Sequence, residues 1–283
     1  MGKDSSLRSV ADAATLAEAR RIHANVCELR LEHAQHMSQQ FEEVRAAGFW
    51  PGFSMLLGIY SSDCLLEGLG WYSLHDDLKS ALDAFDAGRV VLPYYAEVQA
   101  IGSASPLARK TKYSEEEFRK TFGSARNFEA ALLCAILGND QETAISLARL
   151  VADERLIWDG FEDHHDIFVR HLAAVLRGEA ASVSMEDYNG ARASKSFWIN
   201  PYREPLVAFA RGDRRAISAA RSVFEESYRA RGRARDSTHL AFGASKLGQA
   251  MSFDAIGAAL LRIASWTGEP PAAGSRFHPA AFI

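Results

Sequence analysis

Apolar residues recur at three- or four-residue intervals along most of the chain, the spacing of helices that bury one face. Between residues 10 and 47, Leu16, Ile22, Val26, Leu29, Met37, Phe41 and Val44 keep this spacing, and Gly48 supplies a stop. One long helix is predicted there. Pro51 suits the first turn of a second helix, which carries Phe53, Leu56, Leu57, Ile59 and Tyr60 and runs to about Gly68. Its apolar residues occupy several faces, so it belongs at the centre of the fold. A third helix is expected from near Tyr72, with Leu78, Leu82 and Phe85 at helical spacing and Gly88 and Pro93 as its bounds.

Later in the chain, three helical runs stop at a glycine and meet an acidic residue within two positions: Leu137-Gly138-Asn139-Asp140, Arg177-Gly178-Glu179 and Arg211-Gly212-Asp213. Glycine can take the left-handed conformation that ends a helix, and an acidic residue suits the start of the next. The glycines lie 40 and then 34 residues apart, a period typical of stacked helical hairpins. Looser versions stand at Gly88 and Gly248. The pairs expected are 126–137 with 140–153, 159–177 with 179–187, 201–211 with 213–230, and 237–247 with 252–266. Strand signals are nearly absent, because the β-branched stretch Arg89-Val90-Val91-Leu92 is stopped by Pro93. The fold class expected is all-α, built of stacked antiparallel helical hairpins as an α-solenoid-like array or multi-helix bundle.

The strongest linker is Gly102-Ser103-Ala104-Ser105-Pro106, followed by the basic Arg109-Lys110-Thr111-Lys112. It separates an N-terminal helical bundle region (1–101) from a helical-hairpin repeat region (113–268), with the linker itself at 102–112. Ser114 and Glu117 form a capping box at the start of the second region. Residues 269–283, opening with Glu269-Pro270-Pro271, read as an irregular tail laid on the surface or frayed.

Bulk properties narrow the function only slightly. A net charge of −4 over 283 residues selects no partner class. No apolar run is long enough to cross a membrane, and the start Met1-Gly2-Lys3-Asp4 lacks the apolar core of a secretory leader. Cys27, Cys64 and Cys134 are odd in number and far apart, which argues against a disulfide framework or zinc ribbon. A cytoplasmic protein with no membrane partner is expected.

Sequence motifs for catalysis are missing. Gly68-Leu69-Gly70 lacks the lysine and spacing of a phosphate-binding loop, and no nucleophile elbow or His-Glu-x-x-His motif occurs. His33 and His36 stand three apart on the first helix, without identifiable partner ligands. Asp76, Asp77, Asp83 and Asp86 fit the wet face of a helix better than an aspartate-rich diphosphate site. The richest polar cluster is Glu162-Asp163-His164-His165-Asp166. Its Glu162 and His165 have the Glu-x-x-His spacing of di-iron bundles, but a second such pair is absent.

Charge is unevenly distributed. Residues 138–190 hold eleven acidic and four basic side chains, a net of −7, whereas residues 191–250 hold twelve basic and five acidic, a net of +7. The alternating Arg229, Arg231, Arg233 and Arg235 have few aromatic neighbours and no helix-turn-helix, so nucleic acid is not expected as a partner. The favoured reading is that acidic and basic repeats stack and neutralise each other; an exposed acidic face attracting a basic partner is the rival.

Three segments carry a resemblance to a known family. Phe128-Glu129-Ala130-Ala131-Leu132-Leu133-Cys134-Ala135-Ile136-Leu137-Gly138-Asn139-Asp140 resembles a central helix and turn of the immunity protein 49 family of bacterial polymorphic-toxin systems. His171 to Glu179 resembles that family's next helix, and Ala259 to Ala264 its closing apolar helix. The similarity spans residues 50 to 266. It implies a cytoplasmic, non-enzymatic effector–immunity protein, without cofactor or metal, that binds one cognate toxin and occludes its active site. The family supplies no contact residues.

Against a basic nuclease cleft, Asp159, Glu162, Asp163 and Asp166 are the expected phosphate mimics, with Trp158 as an aromatic anchor. Two alternatives stay open. One is an α-solenoid adaptor that binds a protein or peptide. The other is a helical metalloprotein using His164 and His165.

Overall fold

The computed structural model describes residues 13–48, 50–89, 123–154, 156–157, 163–191, 199–233, 253–269, 273–275 and 277–283. Their regular structure is helical throughout. The long helices are α1 (Ala13–Ala47), α2 (Trp50–His75), α3 (Leu78–Gly88), α4 (Glu129–Leu137), α5 (Gln141–Val151) and α6 (His164–Arg177). After the short α7 (Asp187–Gly190) come α8 (Asn200–Ala210), the short α9 (Ala216–Ala219), α10 (Arg221–Arg233) and α11 (Ala255–Trp266). A 3-10 turn at Ala125–Phe128 leads into α4, and others lie at Ala180–Ser182 and Ala280–Phe282. The capping box at Ser114, the linker 102–112 and the expected helix at 237–247 fall outside the described residues.

α2 is the hub of the fold, packing against α1, α3 and α4. It runs seven residues beyond its expected end at Gly68, because Gly68 and Gly70 are places of close approach rather than stops. A β-carbon at Gly68 would collide with the Phe85 ring, and one at Gly70 with the His23 ring. The true break comes at Asp76, in the left-handed region at φ 58°. Asp77 then caps α3 by accepting from Ser80 N at 3.0 Å. Tyr72 accordingly lies inside α2. On α3 the buried stripe is Ala81, Ala84, Phe85 and Gly88, while Leu78 and Leu82 are 39% and 36% exposed.

The glycine punctuation is one repeated chain reversal. At three turns the second or third residue beyond the helix donates back to an alanine carbonyl: Asp140 N to Ala135 O at 2.9 Å, Glu179 N to Ala174 O at 2.9 Å and Asp213 N to Ala208 O at 3.0 Å. Such a bond requires a left-handed residue just before the donor. Gly178 (φ 76°) and Gly212 (φ 102°) supply it. At the first turn Asn139 does so (φ 58°), and Gly138 stays right-handed at φ −72°. Glu269 N and Ala264 O repeat the arrangement after α11, with Gly268 at φ 91°.

One apolar core runs from Ala19 on α1 to Ile283. It is continuous across the two regions expected on either side of residue 102: Phe85 packs edge-on to Phe282 at 5.7 Å. The C-terminal segment, expected on the surface or frayed, is irregular but has a buried end. Phe282 stacks on Phe253 with centroids 4.9 Å apart, and His278 is fully enclosed. His278 Nε2 lies 3.2 Å from Asp254 Oδ2, and Asp254 also accepts from Tyr202 Oη at 2.8 Å and from Gly257 N at 3.2 Å. On its other side His278 Nδ1 is 3.4 Å from Glu225 Oε1, an ion-pair distance without hydrogen-bond alignment.

Candidate functional site

The acidic cluster expected to face a partner begins α6. Trp158, Asp159 and Glu162 lie outside the described residues. Asp163 is the N-cap of α6, accepting from His165 N at 2.9 Å and Asp166 N at 3.0 Å. These bonds satisfy two of the amides that a helix start leaves open. One turn on, Asp166 is buried and turned toward the 3-10 turn, where it accepts from Ser124 Oγ and from Arg126 N. The Arg126 guanidinium bridges the two acids, 3.3 Å from Asp163 Oδ2 and 3.5 Å from Asp166 Oδ1. Both aspartates therefore fasten α6 to the entry of α4.

His164 and His165 diverge. His165 enters the core and meets Glu129 of α4, Nε2 to Oε2 at 3.0 Å, with the two side chains 3% and 2% exposed. The second oxygen of Glu129, Oε1, has no hydrogen-bond partner among the described residues. His164 turns the other way. Its Nε2 donates to the Tyr188 carbonyl at 3.0 Å, so its Nδ1 is an acceptor and receives Arg203 Nη1 at 3.2 Å. The Arg203 guanidinium lies over the Tyr188 ring, 4.7 Å from its centroid, a cation–π contact.

Two turns beyond His164, His171 repeats the theme. Its Nε2 donates to Asp187 Oδ2 at 2.8 Å, so Nδ1 accepts from the Tyr188 hydroxyl at 3.2 Å. Burial holds this imidazole below its ordinary 6.5, with Asp187 pulling the other way. Burial also pushes the Tyr188 phenol upward, which keeps it a hydrogen-bond donor. Asp187, Tyr188 and Arg203 had no signal in the sequence, because their partners lie 16 to 39 residues away. Glu129 had a faint one: a lone carboxylate at the head of the apolar run Ala130–Leu137 demands a buried partner.

The other histidine pair also separates. His33 Nδ1 pairs with Asp63 on α2, whereas His36 Nδ1 donates to Glu32 O at 2.8 Å on its own helix. Among the described residues, no group of three His, Cys, Asp or Glu side chains converges as a metal ion needs. Asp77, the cap of α3, and Asp83 and Asp86 within it are engaged by Ser80, Lys79 and Arg89 respectively.

The charged stretches are not neutralised by one another at these positions. Asp140 pairs with Arg89, Asp163 and Asp166 with Arg126, Glu179 with Arg177, and Asp187 with His171. None of those partners belongs to residues 191–250. In the basic stretch, Arg221 and Arg229 both approach Glu225 on their own helix. No described helix is long and apolar enough to cross a membrane. Compared with known proteins, the chain matches no family model, no curated protein and no solved structure.

Proposed function

We propose that this chain is a binding protein rather than an enzyme: an immunity protein that docks onto a cognate bacterial toxin and occludes its active site. One observation carries the reading. The described histidines of the candidate site are committed to fixed partners: His165 to Glu129, His164 to Tyr188 and Arg203, and His171 to Asp187 and Tyr188. Each joins neighbouring helices, as packing polar groups do, and general acid–base work needs a ring nitrogen presented to substrate. The resemblance of the α4, α6 and α11 segments to immunity proteins supports the same reading.

In this proposal Trp158, Asp159 and Glu162 make the contact, and Asp163 and Asp166 hold the segment that carries them. The test begins with affinity capture from the native host, followed by expression of the captured partner's C-terminal domain in a bacterial cell. Co-expression of this chain should restore growth, and the pair should co-purify one to one. Trp158→Ala with Asp159→Lys and Glu162→Lys should weaken both effects. A partner that is not toxic, or whose toxicity this chain leaves intact, overturns the proposal and points to the α-solenoid adaptor instead.

A further inference from the structure

The seam between α1 and α2 is polar along much of its length. From α1, Arg20 reaches the Leu74 carbonyl, His23 reaches His75 and the Glu67 carbonyl, Arg30 grips the Glu67 carboxylate, and His33 meets Asp63. Among the described elements, α2 is the one against which α1 packs extensively. The seam therefore decides whether α1 stays in place.

His23 is the buried centre of that seam, 2% exposed, and fits because Gly70 has no side chain. Its Nε2 lies 3.0 Å from the Glu67 carbonyl, which can only accept, so Nε2 carries a proton. Its Nδ1 lies 3.2 Å from His75 Nε2. With both rings neutral the contact is satisfied: His75 donates and His23 accepts. A proton added to His23 sets N–H against N–H unless His75 shifts its tautomer. A second proton puts two cations in contact.

The surrounding charges do not relieve this. Glu67, the nearest carboxylate, is already held by Arg30 at 2.6 Å and by Trp71 Nε1 at 3.3 Å. Arg20 adds positive charge beside His75, Asp77 opposes it more weakly, and the Cys27 thiol 3.7 Å from His23 Nε2 is neutral.

We propose that the His23–His75 contact is an acid-sensitive latch, whose protonation undocks α1 from α2 while the rest of the core stays folded. Undocking uncovers the α2 face that carries Tyr60, Glu67 and Trp71, which meet Arg30 and His23 of α1. Burial holds both imidazoles below their ordinary 6.5, and His23 lowers His75 further. An undocked α1 returns the rings to ordinary values, so the open form binds more protons. Docking is thus intact above about 6.5 and lost as pH falls through the lowered values.

Hydrogen exchange of the full chain at pH 7.5 and 5.5, corrected for intrinsic exchange, tests this. Opening of 13–47 should rise at pH 5.5 by at least about threefold, with a limit of about tenfold per pH unit for each proton taken up. Exchange of 129–151, which contains no histidine, should stay constant. In the double variant His23→Gln, His75→Gln the rise should vanish. Equal protection of α1 at both pH values, parallel loosening of 129–151, or a rise that survives in the double variant each overturns the latch. If that variant fails to fold, His75→Gln alone decides, since His75 lies at the exposed end of the seam. A smaller rise supports the latch and an unchanged one overturns it.

Discussion

His278 and Asp254 join the end of the chain to the start of α11 through a contact with no exposure on the histidine side, Nε2 to Oδ2 at 3.2 Å. Asp254 simultaneously caps α11 and receives the Tyr202 hydroxyl, so this contact ties together α8, α11 and the C-terminal segment. Gly257 leaves the room for it, since a β-carbon there would strike both Asp254 Oδ2 and His278 Nε2. Replacing His278 by Ala leaves a buried carboxylate short of a partner and is expected to cost about 3 kcal/mol. Urea unfolding checks this, and Gly257→Ala should destabilise in the same direction.

The Glu129–His165 pair gives a sharper energetic prediction. Removing one member strands a buried polar or charged group. Glu129→Leu or His165→Leu alone should therefore cost about 3–5 kcal/mol. The double variant should cost less than the sum of the two, because neither group is then stranded. Additive losses in a urea double-mutant cycle would count against the pair as a coupled unit.

His171 should titrate below 6.5 in NMR spectra of the folded protein, since burial outweighs Asp187. The unfolded chain then takes up its proton first. The neutral ring's contribution to stability is present above about 6.5 and is lost as pH falls through the lowered value. Asp187→Asn removes the opposing influence and should lower the titration point further. A rise in that variant contradicts the assignment.

The three cysteines should resist thiol reagents in the native protein. Burial pushes the Cys27 thiol up to about 11 and Cys64 to about 12, and it raises the fully enclosed Cys134 well above its ordinary value. Thiolate is the reactive form. At pH 8 a disulfide-exchange reagent should leave Cys64 and Cys134 unmodified and label Cys27 slowly, whereas denatured chain should yield all three.

A further variant isolates backbone conformation. Gly178 sits at φ 76°, and a β-carbon added there would meet nothing within 4 Å, so the only penalty for Gly178→Ala is its dihedral angle. The expected loss is about 1 kcal/mol by thermal or urea unfolding. A neutral result would show that the turn can adopt another geometry.

Much of the architecture was legible in the sequence because helix periodicity and helix stops are local. The end of α1 at Gly48 and the turns at Gly178 and Gly212 follow from neighbouring residues alone. The errors arose where a glycine served packing instead. Gly68 read as a stop, yet it and Gly70 admit Phe85 and His23, which are distant in the chain. Leu78 and Leu82 read as core at the right spacing, and tertiary contacts chose the alanine stripe beside them. The candidate site was legible as a cluster but not as a geometry. Asp163 and Asp166 face Ser124 and Arg126, a pairing across about forty residues that no local pattern encodes.

The central position of α2 has a kinetic consequence. Asn127 donates to Ser54 Oγ across 73 residues, and the α2–α4 contact it accompanies buries much of both helices. Closing a loop of that length costs about 4 kcal/mol of chain entropy before the contact returns anything. Until then α2 remains an apolar segment open to other chains. Aggregation during refolding should therefore depend on how fast residues 129–137 arrive, and dilution or a chaperone that shields α2 should raise the yield without altering the native state.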